Sequence, residues 1–92
     1  MKYIEEKGRI TLEDETGNFR GEITYKKKKD NVIVVDHTYV PNEFRGQGIA
    51  GKLTERMVEY AKNHNLKIIP QCPYVKKAFE NNEEYQKVEY HE

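Results

Sequence analysis

Val40-Pro41-Asn42-Glu43-Phe44-Arg45-Gly46-Gln47-Gly48-Ile49-Ala50-Gly51 is the stretch that decides the fold. An apolar run, Val32-Ile33-Val34-Val35, continues through Asp36-His37-Thr38-Tyr39-Val40 and stops at Pro41. Gly46 and Gly48 follow, and from there Ile49, Leu53, Met57, Tyr60 and Ala61 fall on one stripe at helical spacing. A strand therefore passes through a short glycine turn straight into an amphipathic helix. The first turn of a helix has N–H groups without carbonyl partners, and the helix dipole puts positive charge there. Gly46 and Gly48 have no Cβ to keep a bulky anion away from the backbone. The spot suits a phosphate or a diphosphate. A turn that merely caps the helix is the plainer alternative.

On the N-terminal side, residues 9–14 (Arg-Ile-Thr-Leu-Glu-Asp) alternate polar and apolar as a half-buried strand does. Thr16-Gly17-Asn18 signals a turn, and Phe19 to Tyr25 alternates again. Lys26 to Lys29 with Asp30-Asn31 reads as a charged turn before the strand from Val32 to Val40. Three strands joined by short turns predict an antiparallel meander. On the C-terminal side, the helix is expected from about Gln47 to His64, with Glu55, Arg56, Glu59, Lys62 and Asn63 facing water. Leu66-Lys67-Ile68-Ile69 then reads as a fourth strand, parallel to the third across a helical crossover. Pro70 and Pro73 remove donors from that strand, so it is expected to part from its neighbour and open a slot between Val40 and Cys72. Tyr74 to Asn81 predicts a short helix with Val75, Ala78 and Phe79 inward, and Glu83 to Lys87 another turn.

With 92 residues, a single domain over 1–92 is expected. Sixteen basic and 16 acidic residues cancel, so there is no bulk attraction to nucleic acid or to an acidic membrane, and neither partner is expected. The charged fraction of 35% would suit a disordered chain, but seven tyrosines and the Val/Ile run argue for a folded one. The only cysteine, Cys72, excludes an internal disulfide and fits a reducing compartment. No apolar run approaches the ~20 residues that span a bilayer. A cytoplasmic monomer is expected. His37, His64 and His91 lack metal-ligand spacing, and no metal site is expected.

Arg45-Gly46-Gln47-Gly48-Ile49-Ala50, placed after a strand and opening a helix, resembles the Arg/Gln-x-x-Gly-x-Gly/Ala signature of the GNAT N-acetyltransferases. The lead-in His37-Thr38-x-Val40-Pro41 and the segment Cys72-Pro73-Tyr74-Val75 look like a compact GNAT-like subfamily, over roughly residues 9–88. The resemblance implies an α+β fold: a mixed, mostly antiparallel sheet with a strand-loop-helix-strand acetyl-CoA-binding core and short C-terminal helices. It implies that Arg45, Gly46, Gln47, Gly48, Ile49, Ala50 and Gly51 hold the CoA diphosphate, and that Thr38, Tyr39 and Val40 pair with the peptide-like pantetheine arm. It also implies acetyl transfer from acetyl-CoA to an amine acceptor. Larger members carry helices between the first two strands that help bind the acceptor; here the expected connection is only Glu15-Thr16-Gly17-Asn18.

Transfer to an amine needs a deprotonated amine, a polarised carbonyl and a proton for the leaving thiolate. Three residues are candidates for catalytic work. Cys72 is a nucleophile or proton donor, or else a small buried side chain at a strand end. Tyr74 is a general acid, or a ring packed under the cleft. His37, with an ordinary pKa of ~6.5, is a base, or a packed or solvated strand residue. Glu43 reads as a solvated loop carboxylate and Lys26-Lys27-Lys28-Lys29 as a solvated hairpin tip. Two rival functions stand beside acetyl transfer: a non-catalytic acyl-CoA sensor, and a basic-loop adaptor, against which the zero net charge weighs.

Overall fold

The structure, a computed structural model, describes residues 1–91. Four strands, β1 (Lys2–Glu6), β2 (Arg9–Glu13), β3 (Phe19–Lys29) and β4 (Val32–Tyr39), pair antiparallel in sequence, and β5 (Lys67–Pro70) pairs parallel with β4. The sheet order is β1-β2-β3-β4-β5. Helix α1 (Ile49–Asn63) connects β4 to β5, and α2 (Pro73–Glu80) and α3 (Glu83–Gln86) follow. This is the mixed, mostly antiparallel α+β architecture that the sequence implied.

The apolar stripe of α1 does what its spacing requires. Ile49, Leu53, Met57 and Ala61 are buried against Ile10, Leu12 and Ile23 of the sheet, with Ile68 and Phe79 in the same core. Each large aliphatic side chain buried this way contributes roughly 1.5–3 kcal/mol. Val58 and Thr54 widen the stripe beyond the residues read from the sequence. Close packing beneath the helix start depends on Gly21. A Cβ built there would stand 3.0 Å from Ile49 Cγ2, 3.0 Å from the Tyr39 carbonyl oxygen and 3.2 Å from Leu53 Cδ1.

Four expectations need correction. First, Lys2–Glu6 forms β1 and makes the antiparallel part four strands rather than three. The connection between the first two strands is then Lys7-Gly8, with Gly8 at φ +86°, not Glu15 to Asn18. Second, Lys26 to Lys29 belongs to β3 and pairs with Val32 to Val34, so only Asp30-Asn31 turns. Extended backbone pairs whatever its side chains are, provided those side chains reach water. Third, α1 runs Ile49–Asn63, a little shorter at each end. Fourth, Pro73 interrupts no strand. It opens α2, where a missing N–H costs nothing.

β4 also contains an irregularity that alternation alone does not foresee. Tyr25 pairs with Val35 but Thr24 pairs with His37, so Asp36 is one residue too many on β4. Before this bulge Ile33 and Val35 face the core, and after it Thr38, opposite Ile23, takes that face. His37, opposite Thr24, is turned to the other side of the sheet and is exposed. The Asp36 carboxylate accepts a 2.6 Å hydrogen bond from the Thr24 hydroxyl on that side.

Candidate functional site

Where β4 ends and α1 begins, the backbone makes one 3-10 turn (Asn42–Phe44), closed by Phe44 N–H to Pro41 O at 2.9 Å and Arg45 N–H to Asn42 O at 3.2 Å. Gly46 (φ +85°) and Gly48 (φ +77°) then take the left-handed conformation that residues with a Cβ rarely adopt. No heavy atom lies within 4 Å of a Cβ placed at either one, so the space in front of the turn is open. Gly48 is the N-cap of α1 and has no side chain to satisfy the helix start. The first turn of α1 contains no acidic residue, although that is where carboxylates usually gather. The first helical bond is Lys52 N–H to Gly48 O at 3.0 Å. Among the described residues, the N–H groups of Gly46, Gly48, Ile49, Ala50 and Gly51 donate to no protein acceptor. A row of unpaired donors at a positive helix end is a cradle for an anion.

The cradle borders a cavity of about 340 Å³. Thr38 of β4 and Val40 just beyond it form one wall, the turn and the first residues of α1 another, and Tyr74 of α2 a third. Phe44, which the sequence reading passed over, lines it too. The Arg20 guanidinium lies 4.0 Å above the Phe44 ring and is paired with Asp14 at 3.1 Å. Asp14 accepts from Asn18 N–H, from the Thr16 hydroxyl and N–H, and from Arg20, and together these hold its carboxyl well below the usual carboxylate range. An aromatic residue alone in a polar loop was the available signal for Phe44. Arg45 points back: its Nε donates to the Val40 carbonyl at 3.2 Å and ties the turn to the end of β4.

The slot expected beside β4 is present, for a modified reason. Parallel pairing with β5 ends at Val35 opposite Pro70. The N–H groups of Gln71 and Cys72 both donate to Val35 O at 3.0 Å, and the chain then turns into α2. Beyond Val35, β4 pairs with β3 alone, and the other edge of its last residues has no neighbouring strand. Pro70 ends the ladder, and the departure of α2 opens it.

Of the residues expected to bind, Thr38, Val40, Arg45, Gly46, Gly48, Ile49, Ala50 and Gly51 border the cavity, while Tyr39 and Gln47 do not. Tyr39 is turned to the opposite face of the sheet, where its ring stacks on Phe19 with centroids 6.2 Å apart. Tyr74 is exposed, and its hydroxyl lies 3.3 Å from where a Cβ on Gly51 would stand. Cys72 is buried behind the wall, its sulfur 3.5 Å from the Thr38 hydroxyl. Burial pushes the Cys72 thiol up. The Thr38 hydroxyl and the N–H groups of Val75, Tyr74 and Thr38 turned toward the sulfur outweigh that, and the thiol sits below its ordinary value. His37, on the other face of β4, is not brought together with Cys72 and Tyr74. Among the described residues no cluster of His, Cys, Asp or Glu is arranged to hold a metal ion.

A strand edge left open by a parting neighbour leads to an uncapped glycine turn at a helix start, a geometry that suits a phosphate-bearing ligand with an extended arm. The family model for the GCN5-related N-acetyl-transferases matches residues 9–88, and the chain belongs to that family. A GCN5-like protein from Staphylococcus aureus, solved by NMR, superposes with a TM-score of 0.78 at 35% identity, over 99% of this chain and 89% of that one. A ribosomal-protein-alanine N-acetyltransferase from Brucella melitensis biovar Abortus 2308 shares the fold, with a TM-score of 0.57 at 23% identity over 79% of this chain and 59% of that one. Protein NATD1 of Xenopus tropicalis is 30% identical over 63 residues, which are 68% of this chain and 58% of the frog protein. Among the described residues, no helix is long and apolar enough to cross a membrane.

Proposed function

We propose that this chain binds acetyl-CoA and transfers its acetyl group to an amine carried by a small molecule or a protein. The observation that carries the reading is the set of unpaired N–H groups at Gly46, Gly48, Ile49, Ala50 and Gly51, beside the edge of β4 that has no neighbouring strand. That donor set fits a diphosphate, and the edge at Thr38 and Val40 fits an arm made of successive amides, which adds to a sheet as a further strand does. When bound, acetyl-CoA supplies an acetyl group activated as a thioester.

The chain's own residues then divide the work. The helix start fixes the charged end, with Phe44 and Val40 lining the cavity beside it. The Tyr74 residue is exposed and lines the cavity, and in this reading its hydroxyl gives a proton to the departing thiolate. Thr38 stands between the cavity and Cys72, so a role for the thiol runs through movement of that hydroxyl. His37 faces the opposite side of β4, and its role is confined to an amine arriving over that face.

A second reading, a non-catalytic acyl-CoA-binding module, draws support from the two-residue Lys7-Gly8 connection, which leaves no helix between the first two strands to shape an acceptor site. One experiment addresses both. Acetyl-CoA is titrated while backbone amide shifts are recorded, and CoA release is then followed with a panel of amines. Shifts centred on Gly46 to Gly51 with amine-dependent release support the transferase. The same shifts with release no faster than blank leave the binding module. No shifts at millimolar acetyl-CoA reject both.

A further inference from the structure

The sheet guards its two edges unequally. At β5 the chain covers its own edge: Ile68 N–H donates to Val88 O at 2.7 Å, and Tyr90 N–H donates to Ile68 O at 2.8 Å. β1 is the other edge, and among the described residues β2 is its only strand neighbour. The next strand fixes the phase of its backbone. Tyr25 N–H of β3 donates to Gly8 O at 2.9 Å, and backbone groups alternate between the two sides of a strand. Ile10 and Leu12 therefore bond toward β3, and Arg9, Thr11 and Glu13 toward β1. Their partners Glu6, Ile4 and Lys2 are thereby engaged, which leaves the N–H and C=O groups of Tyr3 and Glu5 on the open edge. Neither a bulge nor a proline blunts that edge. Its side chains divide by face. The Tyr3 hydroxyl donates to Lys52 O at 3.4 Å and Glu5 pairs with Arg56 at 3.1 Å, both on α1, so Lys2, Ile4 and Glu6 lie on the opposite face of the sheet. Both Arg9 contacts of Glu6 use Oε1, and Lys2 has no ion pair among the described residues.

We infer that β1 pairs with β1 of a second copy of this chain, antiparallel and centred on Ile4. In that register Tyr3 and Glu5 of opposite copies exchange N–H···O=C bonds, once on each side of the two-fold axis. Lys2 then stands directly opposite Glu6 of the second copy, also twice, with the two Ile4 side chains meeting between them. Centring on Tyr3 would put Lys2 opposite Ile4. Centring on Glu5 would set Glu5 against Glu5, which repels. Charge therefore selects one register, and the lysine that would ordinarily keep an edge strand apart finds a counterpart instead. The pairing closes at two copies, because the β5 edge is already covered. One short strand is small beside a standard interface of about 1,600 Å², so the dimer is weak and the monomer expected from the sequence is its dilute form. β2 and β3 stand between this edge and the cavity beside β4, so both cavities of the dimer stay open and the pairing does not depend on what they hold.

The test is sedimentation equilibrium of the full chain up to millimolar concentration at low salt, with backbone amide shifts recorded over the same series. The wild type is expected to pass from monomer toward dimer, with shifts centred on Tyr3 to Glu5, and added salt is expected to weaken the association. Lys2→Glu sets like charges opposite each other at two places and should weaken it roughly tenfold, two exposed pairs being lost and reversed. Combining Lys2→Glu with Glu6→Lys restores opposite charges in the same register and should recover the dimer. Circular dichroism of each variant at low concentration keeps loss of folding apart from loss of pairing. A wild type that stays monomeric at millimolar concentration, shifts centred on another surface, a dimer undiminished in Lys2→Glu, or a folded double variant no tighter than Lys2→Glu overturns the assignment.

Discussion

Replacing Gly21 by alanine tests whether the cradle is held in place by packing from below. Gly21 lies in β3 under the first turn of α1, and its φ is not in the positive range, so alanine strains nothing in the backbone. The added methyl would meet the Tyr39 carbonyl oxygen and Ile49 Cγ2, each at 3.0 Å. Ordinary carbon contacts sit near 3.5–4.0 Å, so the neighbours must yield by several tenths of an ångström. The carbonyl belongs to a paired strand and yields poorly, which leaves Ile49, the first residue of α1, to move. Overpacking of this kind costs about 1–3 kcal/mol, and the loss of glycine's freedom in the unfolded chain returns roughly 0.4–1 kcal/mol. Taking the middle of each range, about 2 less about 0.7, the net cost is about 1.3 kcal/mol. For a domain of this size that lowers Tm by roughly 5–10 °C. Thermal unfolding followed by circular dichroism measures it, and acetyl-CoA affinity measured on the same sample is expected to fall because the donors at Ile49 and Ala50 shift with the helix. An unchanged or raised Tm would refute the argument that α1 sits on β3 without slack.

Gly48→Ala meets no steric obstacle but must hold φ near +77°, a strain of about 1–2 kcal/mol, so acetyl-CoA binding should weaken roughly tenfold with helix content preserved; unaltered affinity by calorimetry would separate the turn from binding. Thr38→Val removes the hydroxyl beside Cys72, so the pH midpoint of thiol alkylation should move upward, and a midpoint that stays put would show that the hydroxyl does not hold the thiol down. Tyr60 shares a 3.1 Å hydrogen bond with Tyr25, and this bond, together with burial, pushes the Tyr60 phenol up to about 12. A raised pKa on an acid favours the protonated fold, so this stabilisation is complete below the unfolded value near ~10 and is lost as pH climbs toward 12. Tm should therefore drop over that window, with a smaller drop in Tyr25→Phe, and tyrosinate absorbance should show one late-titrating phenol.

The parts of the molecule that were legible in the sequence are those where one residue type has one physical use. Gly46 and Gly48 announced a turn that only glycine makes easily, and both hold positive φ. Ile49, Leu53, Met57 and Ala61 announced a buried helix face and are buried. What escaped was set by neighbours rather than by local pattern. β1 is an edge strand whose Lys2, Glu5 and Glu6 are exposed, so it carries little apolar signal. Four lysines in a row suggested a turn, yet β4 supplies the partner that keeps them extended. Pro73 looked like a strand breaker because proline at a helix start and proline in a strand are the same letter. The sides taken by His37 and Tyr39 followed from a bulge at Asp36 that no residue preference marks. Alternation separates Thr38 from His37 and Tyr39, three neighbours that a plain reading placed at one site, and the bulge decides that Thr38 is the one that faces the core.

That surplus residue sets the phase of everything downstream on its strand. Excising Asp36 would join Val35 to His37 and bring β4 into simple step with β3, with Tyr25, Thr24 and Ile23 still opposite Val35, His37 and Thr38. Alternation along the shortened strand then keeps the threonine inward and the imidazole outward. Closing the bulge without losing a residue, with Thr24 opposite Asp36, would instead turn the imidazole toward Cys72 and the threonine out to solvent, so the spare residue chooses which side chain lines the slot.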